Sequence, residues 1–244
     1  GRKGNCLSLA IITTSLAKLL GLQIDYRLVL SNPVYEKNGS LVTTSKHVQT
    51  RMFKPLDDSS SLKYLGLRPN VIVDYFPEYR QVKGDFIEHN AFVSLYYQNM
   101  AAYYLTNNDL PRAYANAYTA YQLDNQSSSA LNLLGLASKK RGNVDQAEKI
   151  YNYVPSQNGD DILSISNYIV LLKELGRTDE AIHYKNKLNN LYDPNPYNWI
   201  DLADKQIKQG RLHRALNSYD KAIKLAPYLE EPYVKAYQIL IEQN

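Results

Sequence analysis

The sequence has few of the residues that build metal, disulfide or phosphate sites. It contains one cysteine and four histidines in 244 residues, and no two of them have the spacing of a zinc site. One cysteine cannot form an internal disulfide. No glycine-rich phosphate loop is present. We therefore expect no metal and no cofactor.

Strong charge and long apolar runs are also missing. The net charge of +4 is spread along the whole chain without a lysine- or arginine-rich tract, which argues against a nucleic-acid partner. The apolar run at residues 7–22 includes Lys18 and is too short to span a bilayer, so we expect no membrane span in this chain. The sequence starts at Gly1 rather than Met. We therefore expect a fragment or processed form, whose first domain lacks its natural N-terminal segment. The compartment is left open between the cytoplasm and export, and so is the oligomeric state.

The first 85 or so residues mix one helix with strands, which predicts an α+β domain. The run at residues 7–20 is apolar on most sides and indicates a central helix that ends at Gly21. Asn38-Gly39 is a hairpin-turn signal. Strand patterns follow at residues 23–30, 41–44, 47–53 and 71–73.

Three residues of this part have the chemistry of cysteine-based acyl transfer. Cys6 stands at the start of the predicted helix, where unpaired N–H groups and the helix dipole favour a thiolate. His47 lies on a predicted strand and can exchange the thiol proton. Asp74 follows a predicted strand and can orient the histidine. The weaker candidates for these roles are His89 for the base and Asp57 or Asp58 for the carboxylate.

The rest of the chain repeats with a period of 34 residues. Four alanines keep this interval: Ala113, Ala147, Ala181 and Ala215. Five residues before each alanine stands a turn former: Asn108, Gly142, Gly176 and Gly210. The pattern resembles the tetratricopeptide repeat, a helical hairpin of 34 residues, and covers about residues 94–229. It restarts at Tyr233, which predicts a closing helix. We therefore expect an all-α solenoid of about four repeats.

The front part resembles the transglutaminase-like superfamily of papain-like cysteine enzymes. Residues 4–10 open the helix as the family's nucleophile segment does, residues 19–22 resemble its helix ending, and residues 26–29, 47–48 and 73–74 resemble its three strands. The resemblance covers about residues 1–80. It implies that Cys6 is the nucleophile, His47 the general base and acid, and Asp74 the orienting carboxylate.

These patterns together predict two domains, 1–88 and 89–244. The leading functional hypothesis is acyl transfer on an amide by a peptidase, an amidase or a transglutaminase-type enzyme, with the solenoid binding a protein or peptide. The choice between water and an amine as acceptor is left open. The alternative is a non-catalytic interaction scaffold with an inactive front domain. Two departures from the family favour this alternative. Many family members carry an aromatic residue just after the cysteine, where this chain has Leu7, and another near the histidine, where it has Val48 and Gln49.

The repeat register also predicts which side chains line a partner-binding groove. The groove residues are Asn132, Lys139, Lys173, Tyr197 and Lys208, with Gln98, Leu136, Ile200 and Asp204 beside them. This lining is mixed and mildly basic, so an acidic or extended peptide is the expected partner. Many of the tyrosines, such as Tyr104, Tyr151 and Tyr219, fall at packing positions of the repeat, so we assign them to the repeat core rather than to a base-stacking surface.

Overall fold

The computed structural model describes residues 6–38, 41–55, 68–75, 82–158, 162–189 and 195–242. The sheet part contains α1 (Cys6–Leu19), β1 (Gln23–Asn38), β2 (Leu41–Phe53), β3 (Asn70–Val73) and β4 (Val82–Ile87). The repeat part contains α2 (His89–Thr106), α3 (Leu110–Leu123), α4 (Ser128–Lys140), α5 (Val144–Asn158), α6 (Ile162–Glu174), α7 (Thr178–Asn189), α8 (Pro196–Lys208), α9 (Leu212–Leu225) and α10 (Glu230–Glu242). Two compact units result, one of residues 1–31 and 46–181 and the other of 32–45 and 182–244.

The four strands form one sheet in the order β3-β2-β1-β4. β3 pairs antiparallel with β2, with Thr50 opposite Val73, and β4 pairs antiparallel with β1, with Arg27 opposite Phe86. The structure differs from the prediction in three places. β1 continues to Asn38, beyond the predicted strand at residues 23–30. β2 is one continuous strand where two were expected, and β4 was not expected from the sequence. The Gly39 of the predicted hairpin turn, and Asp57 and Asp58, lie outside the described residues.

One face of the sheet packs against α1 and α2. The core between them consists of Leu7, Ala10, Tyr26, Val48, Phe92 and Leu95. α1 ends as predicted: Gly21 has a φ of 65°, and the N–H of Leu22 donates to the carbonyl of Ala17 at 2.9 Å. The expectation that α1 is covered on most sides is not met by the described residues, because Ile12 and Leu16 are more than half exposed. α1 is covered on one side and lies at the surface.

The repeat part forms helical hairpins at the predicted interval. The packed pairs are α2 with α3 and α4 with α5 in the first compact unit and α8 with α9 in the second. α6 and α7 follow one another in the chain at the same interval, and α10 follows as the expected closing helix. Each hairpin turns at a residue with positive φ: Asn108 (58°), Gly142 (84°), Gly176 (72°) and Gly210 (70°). The left-handed conformation explains the glycines at this position, and asparagine is the side chain that tolerates it best. The sequence prediction of a TPR-like helical repeat region is therefore confirmed.

Small residues let the two helices of a hairpin approach closely. Ala147 and Ala215 are fully buried, as are the large rings of Tyr151 and Tyr219. A Cβ atom at Gly135 would lie 2.7 Å from Cε1 of Tyr151, which is closer than packed carbon atoms come. The tyrosine ring fills the space that the glycine leaves open, as the assignment of tyrosines to the repeat core requires.

The boundary predicted at residue 88 falls between β4, which ends at Ile87, and α2, which begins at His89. It stays a prediction.

None of the described helices is both long enough and apolar enough to cross a bilayer.

Candidate functional site

His47 and Asp74 form a hydrogen-bonded pair on the sheet. Nε2 of His47 lies 2.7 Å from Oδ1 of Asp74, and the two side chains are 12% and 18% exposed. Gln49 donates from Nε2 to the other carboxylate oxygen of Asp74, also at 2.7 Å. The pairing of β2 with β3 brings these residues together, because Asp74 directly follows β3 and continues its register opposite Gln49. The carboxylate can thus orient the ring of His47 and fix its tautomer.

This pair lies on the sheet face opposite to α1. Val48, between His47 and Gln49 in sequence, is fully buried in the core with Leu7 of α1. Since successive side chains of a strand point to opposite faces, His47 and Gln49 point away from α1. Asp74 lies on their side, since it bonds to both. The histidine–aspartate pair and the helix that begins at Cys6 are therefore separated by the sheet.

Cys6 is the first residue of α1, as the helix-start pattern predicts. Its side chain lies outside the described part of the chain. The role of Cys6 as nucleophile, and with it the triad of Cys6, His47 and Asp74, stays a prediction.

His89, the weaker candidate for the base, belongs to a different cluster. Its Nε2 lies 3.0 Å from Nζ of Lys18, and its Nδ1 lies 3.1 Å from the hydroxyl of Tyr26. Lys18 is twelve residues from Cys6, which is about 18 Å along a helix. Burial lowers the pKa of His89, and the charge of Lys18 lowers it further. His89 thus lies near the far end of α1 and is too distant to act on Cys6.

The repeats offer a second candidate surface, on α4 and α6. Nδ2 of Asn167 donates to Oδ1 of Asn132 at 2.8 Å, and Nζ of Lys139 lies 2.8 Å from Oε1 of Glu174. We call this surface the α4–α6 face. Its residues are Asn132, Leu136, Lys139, Asn167, Val170, Lys173 and Glu174. Asn167 and Glu174 were not in the sequence prediction, although each stands 35 residues after the groove residue that it contacts.

The other predicted groove residues have varied surroundings. Gln98 is buried, and its amide donates to Ser94 at 3.0 Å and to Ser127 at 3.2 Å, so it is a packing residue rather than a lining residue. Tyr197 is 8% exposed and Ile200 1% exposed in the core of α8, α9 and α10. Burial leaves these two side chains little exposed surface, and their place in a partner-binding groove stays a prediction.

Two polar groove residues of the second compact unit lie on α8. Lys208 is exposed, whereas Asp204 takes part in a network within its own unit. Burial alone would raise the pKa of Asp204, but the hydrogen bonds from Lys235 and Tyr219 outweigh it, and the pKa lies below its ordinary value. Asp204 therefore holds α10 against α8 and α9 through Lys235 and Tyr219.

Comparisons with known proteins gave structural likenesses alone. No protein-family model matches the chain, and no curated protein matches it. Among solved structures, it is similar to PilF of Pseudomonas aeruginosa, with 16% identity over 64% of this chain and 71% of that one and a TM-score of 0.43. It is also similar to the TPR protein TTC0263 of Thermus thermophilus, with 20% identity over 61% and 81% and a TM-score of 0.43. A third is YrrB, described as a TPR protein with an unusual peptide-binding site, with 17% identity over 60% and 76% and a TM-score of 0.36.

These TM-scores are below 0.5, so the likenesses decide nothing about function. The class of the protein rests on its own geometry. A short four-stranded antiparallel sheet with a helix precedes a region of TPR-like helical hairpins. Within the described ranges, no three His, Cys, Asp or Glu side chains gather as a metal site would require.

Proposed function

We propose that this chain is a non-catalytic interaction scaffold whose repeats bind an extended, acidic peptide segment of a partner protein. The observation that supports it is the α4–α6 face, where two hydrogen-bonding carboxamides lie beside an exposed apolar side chain and two lysines. Val170 is 46% exposed there, and Lys173 is exposed. A surface of this kind offers a peptide backbone contacts, an apolar contact and charge complementarity at once.

The two asparagines supply the backbone contacts. The bond between Asn167 Nδ2 and Asn132 Oδ1 orients both carboxamides. Among the described residues, the NH₂ group of Asn132 and the Oδ1 of Asn167 have no further partner, so they can donate to and accept from an extended peptide. Such a pair recognises the main chain rather than a particular side chain.

The lysines supply the preference for acidic partners. Lys139 is paired with Glu174, whereas Lys173 carries an exposed charge on the same face. A cation beside an apolar contact attracts acidic segments and raises their association rate at low salt.

The test uses immobilised random-sequence peptides in three sets: acidic, neutral and basic. We expect the wild-type chain to be retained by the acidic set, Lys173→Glu to lose that retention severalfold, and Asn167→Ala to weaken it. Lys149→Glu is the matched control, because Lys149 is an exposed lysine on α5, outside this face. Equal losses for Lys173→Glu and Lys149→Glu, or retention by all three sets alike, would contradict the proposal.

Acyl transfer by Cys6 is the second proposal, and the 2.7 Å bond between His47 and Asp74 favours it. Thiolate Cys6 would attack an amide carbonyl, and His47 would protonate the departing amine. The position of the pair on the face opposite to α1 argues for the scaffold instead.

Alkylation of Cys6 by iodoacetamide separates the two proposals. Because Cys6 is the only thiol, the rate against pH reports on it directly. If the chain is an enzyme, alkylation stays fast at pH values well below the ordinary thiol pKa of about 8.5, and His47→Ala abolishes this fast alkylation. His47→Gln serves as a control that can keep the bond to Asp74. A scaffold gives an ordinary midpoint that neither substitution changes.

A further inference from the structure

Arg27 has an unusual position on the sheet face that carries His47 and Asp74. Its guanidinium carbon lies 4.1 Å from the centre of the Phe86 ring, on the neighbouring strand. Its Nε atom is buried and has no hydrogen-bond partner among the described residues. A buried N–H of a charged group without an acceptor is costly, and a ligand oxygen is one way to satisfy it.

Two described acidic groups of this face, Asp25 and Asp74, are already paired with other residues. Asp25 accepts two hydrogen bonds from Nε of Arg51, at 3.0 and 3.2 Å, and Asp74 accepts from Gln49 and bonds to His47. Arg51 also stacks on Phe86, 4.1 Å from the ring centre. Two guanidinium groups thus share one aromatic ring, and only one of them has a carboxylate among the described residues.

The space beside Arg27 is a recess open to solvent. It is lined by Arg27, Gln49, Thr50, Arg51, Ile72 and Phe86. The ring of Phe86 and the side chain of Ile72 give the recess an apolar wall next to the cation.

We propose that Arg27 forms a binding site for an oxyanion, the carboxylate or phosphate group of a small ligand. The planar guanidinium offers Nε–H and a terminal N–H in the fork that matches two oxygens of either group. The apolar wall accommodates the part of the ligand next to the anion. This site is independent of peptide binding by the repeats.

The test follows the Nε–H signals of the arginines in ¹⁵N–¹H spectra of the full chain. The Arg27 signal is identified by its loss in Arg27→Lys. The probes are benzoate, its neutral counterpart benzamide, and inorganic phosphate. We expect a saturable shift of the Arg27 signal with an anion and none with benzamide. Saturation by benzoate alone assigns a carboxylate source, and saturation by phosphate alone assigns a phosphate source.

Two variants keep the proposal falsifiable. Phe86→Leu removes the stacking surface but leaves the charge, and we expect it to weaken anion binding by about tenfold. Arg68→Lys is a control, because Arg68 stacks on Phe53 instead, at 5.0 Å. The proposal is overturned if the Arg27 signal of the folded chain shifts with neither anion. It is also overturned if folded Arg27→Lys binds the anions as tightly as the wild type does, as measured from backbone signals.

Discussion

The sheet and the repeats use charged side chains in opposite ways. On the sheet face opposite to α1, arginines, carboxylates and a histidine lie side by side and are only partly exposed, and Arg27 and Arg51 stack on Phe86. The repeats bury alanine and tyrosine instead, and the ion pair of Lys224 with Asp220 lies at their surface. The repeats thus form a periodic structural array, whereas the sheet face holds a concentration of polar groups that packing alone does not require.

The largest expected effect tests the core of the repeats. Tyr219 is fully buried, so Tyr219→Ala removes a ring from the core that contains Ala203 and Ala215. We expect a loss of about 3–5 kcal/mol in the free energy of unfolding of this region. Chemical unfolding followed by helical circular dichroism measures it. A loss below about 1 kcal/mol would show that the array repacks freely.

The next effect compares an ion pair from each region. The pair of Asp25 with Arg51 is 30% and 28% exposed, and the pair of Asp220 with Lys224 is 56% and 73% exposed. We expect Asp25→Asn to cost about 1–3 kcal/mol, because it leaves a half-buried guanidinium without its carboxylate. Asp220→Asn is the matched control and should cost at most about 0.5 kcal/mol. An equal loss of stability in Asp25→Asn and Asp220→Asn would contradict the contrast between the ion pairs of the sheet and those of the repeats.

A smaller effect compares two tyrosines at the same repeat position. The hydroxyl of Tyr219 donates to Asp204 at 2.6 Å, whereas that of Tyr151 is buried without a hydrogen-bond partner in the described part of the chain. We expect Tyr219→Phe to destabilise the chain by about 1 kcal/mol and Tyr151→Phe to be neutral or stabilising. Unfolding midpoints of the two variants decide it. An equal loss of stability in the two variants would mean that the repeat position, and not the hydrogen bond to Asp204, determines the effect of losing the hydroxyl.

The smallest effect is the pH dependence that comes from His89. Its pKa lies below the ordinary value of 6.5, so the unfolded chain binds the proton more tightly than the folded chain does. The contribution to stability is therefore complete above pH 6.5 and is lost as the pH falls through the window down to the lower folded value. We expect His89→Gln to lose less stability than the wild type between about pH 7.5 and about pH 5. Parallel losses would contradict this assignment.

The repeats could be predicted from the sequence because their signals are local. The alanine interval and the turn residues recur within one hairpin, and the helices follow them. The sheet could be predicted only in part, since pairing joins distant segments. Arg27 lies opposite Phe86, and nothing local in either segment indicates this pairing or the recess beside it. The resemblance to the transglutaminase-like superfamily predicts that His47 and Asp74 lie close together, and the two are hydrogen-bonded. The resemblance does not indicate that they lie on the sheet face away from α1.

The four left-handed turns at Asn108, Gly142, Gly176 and Gly210 have a consequence for how such a chain changes length. Removing residues 109–142 would join Asn108 to Asn143 and leave one such turn where there were two. The local backbone on either side would be unchanged, because both turns have the same hand and the same place in the period. Recombination between these points therefore lengthens or shortens the array by whole hairpins, and alters its reach while preserving its architecture.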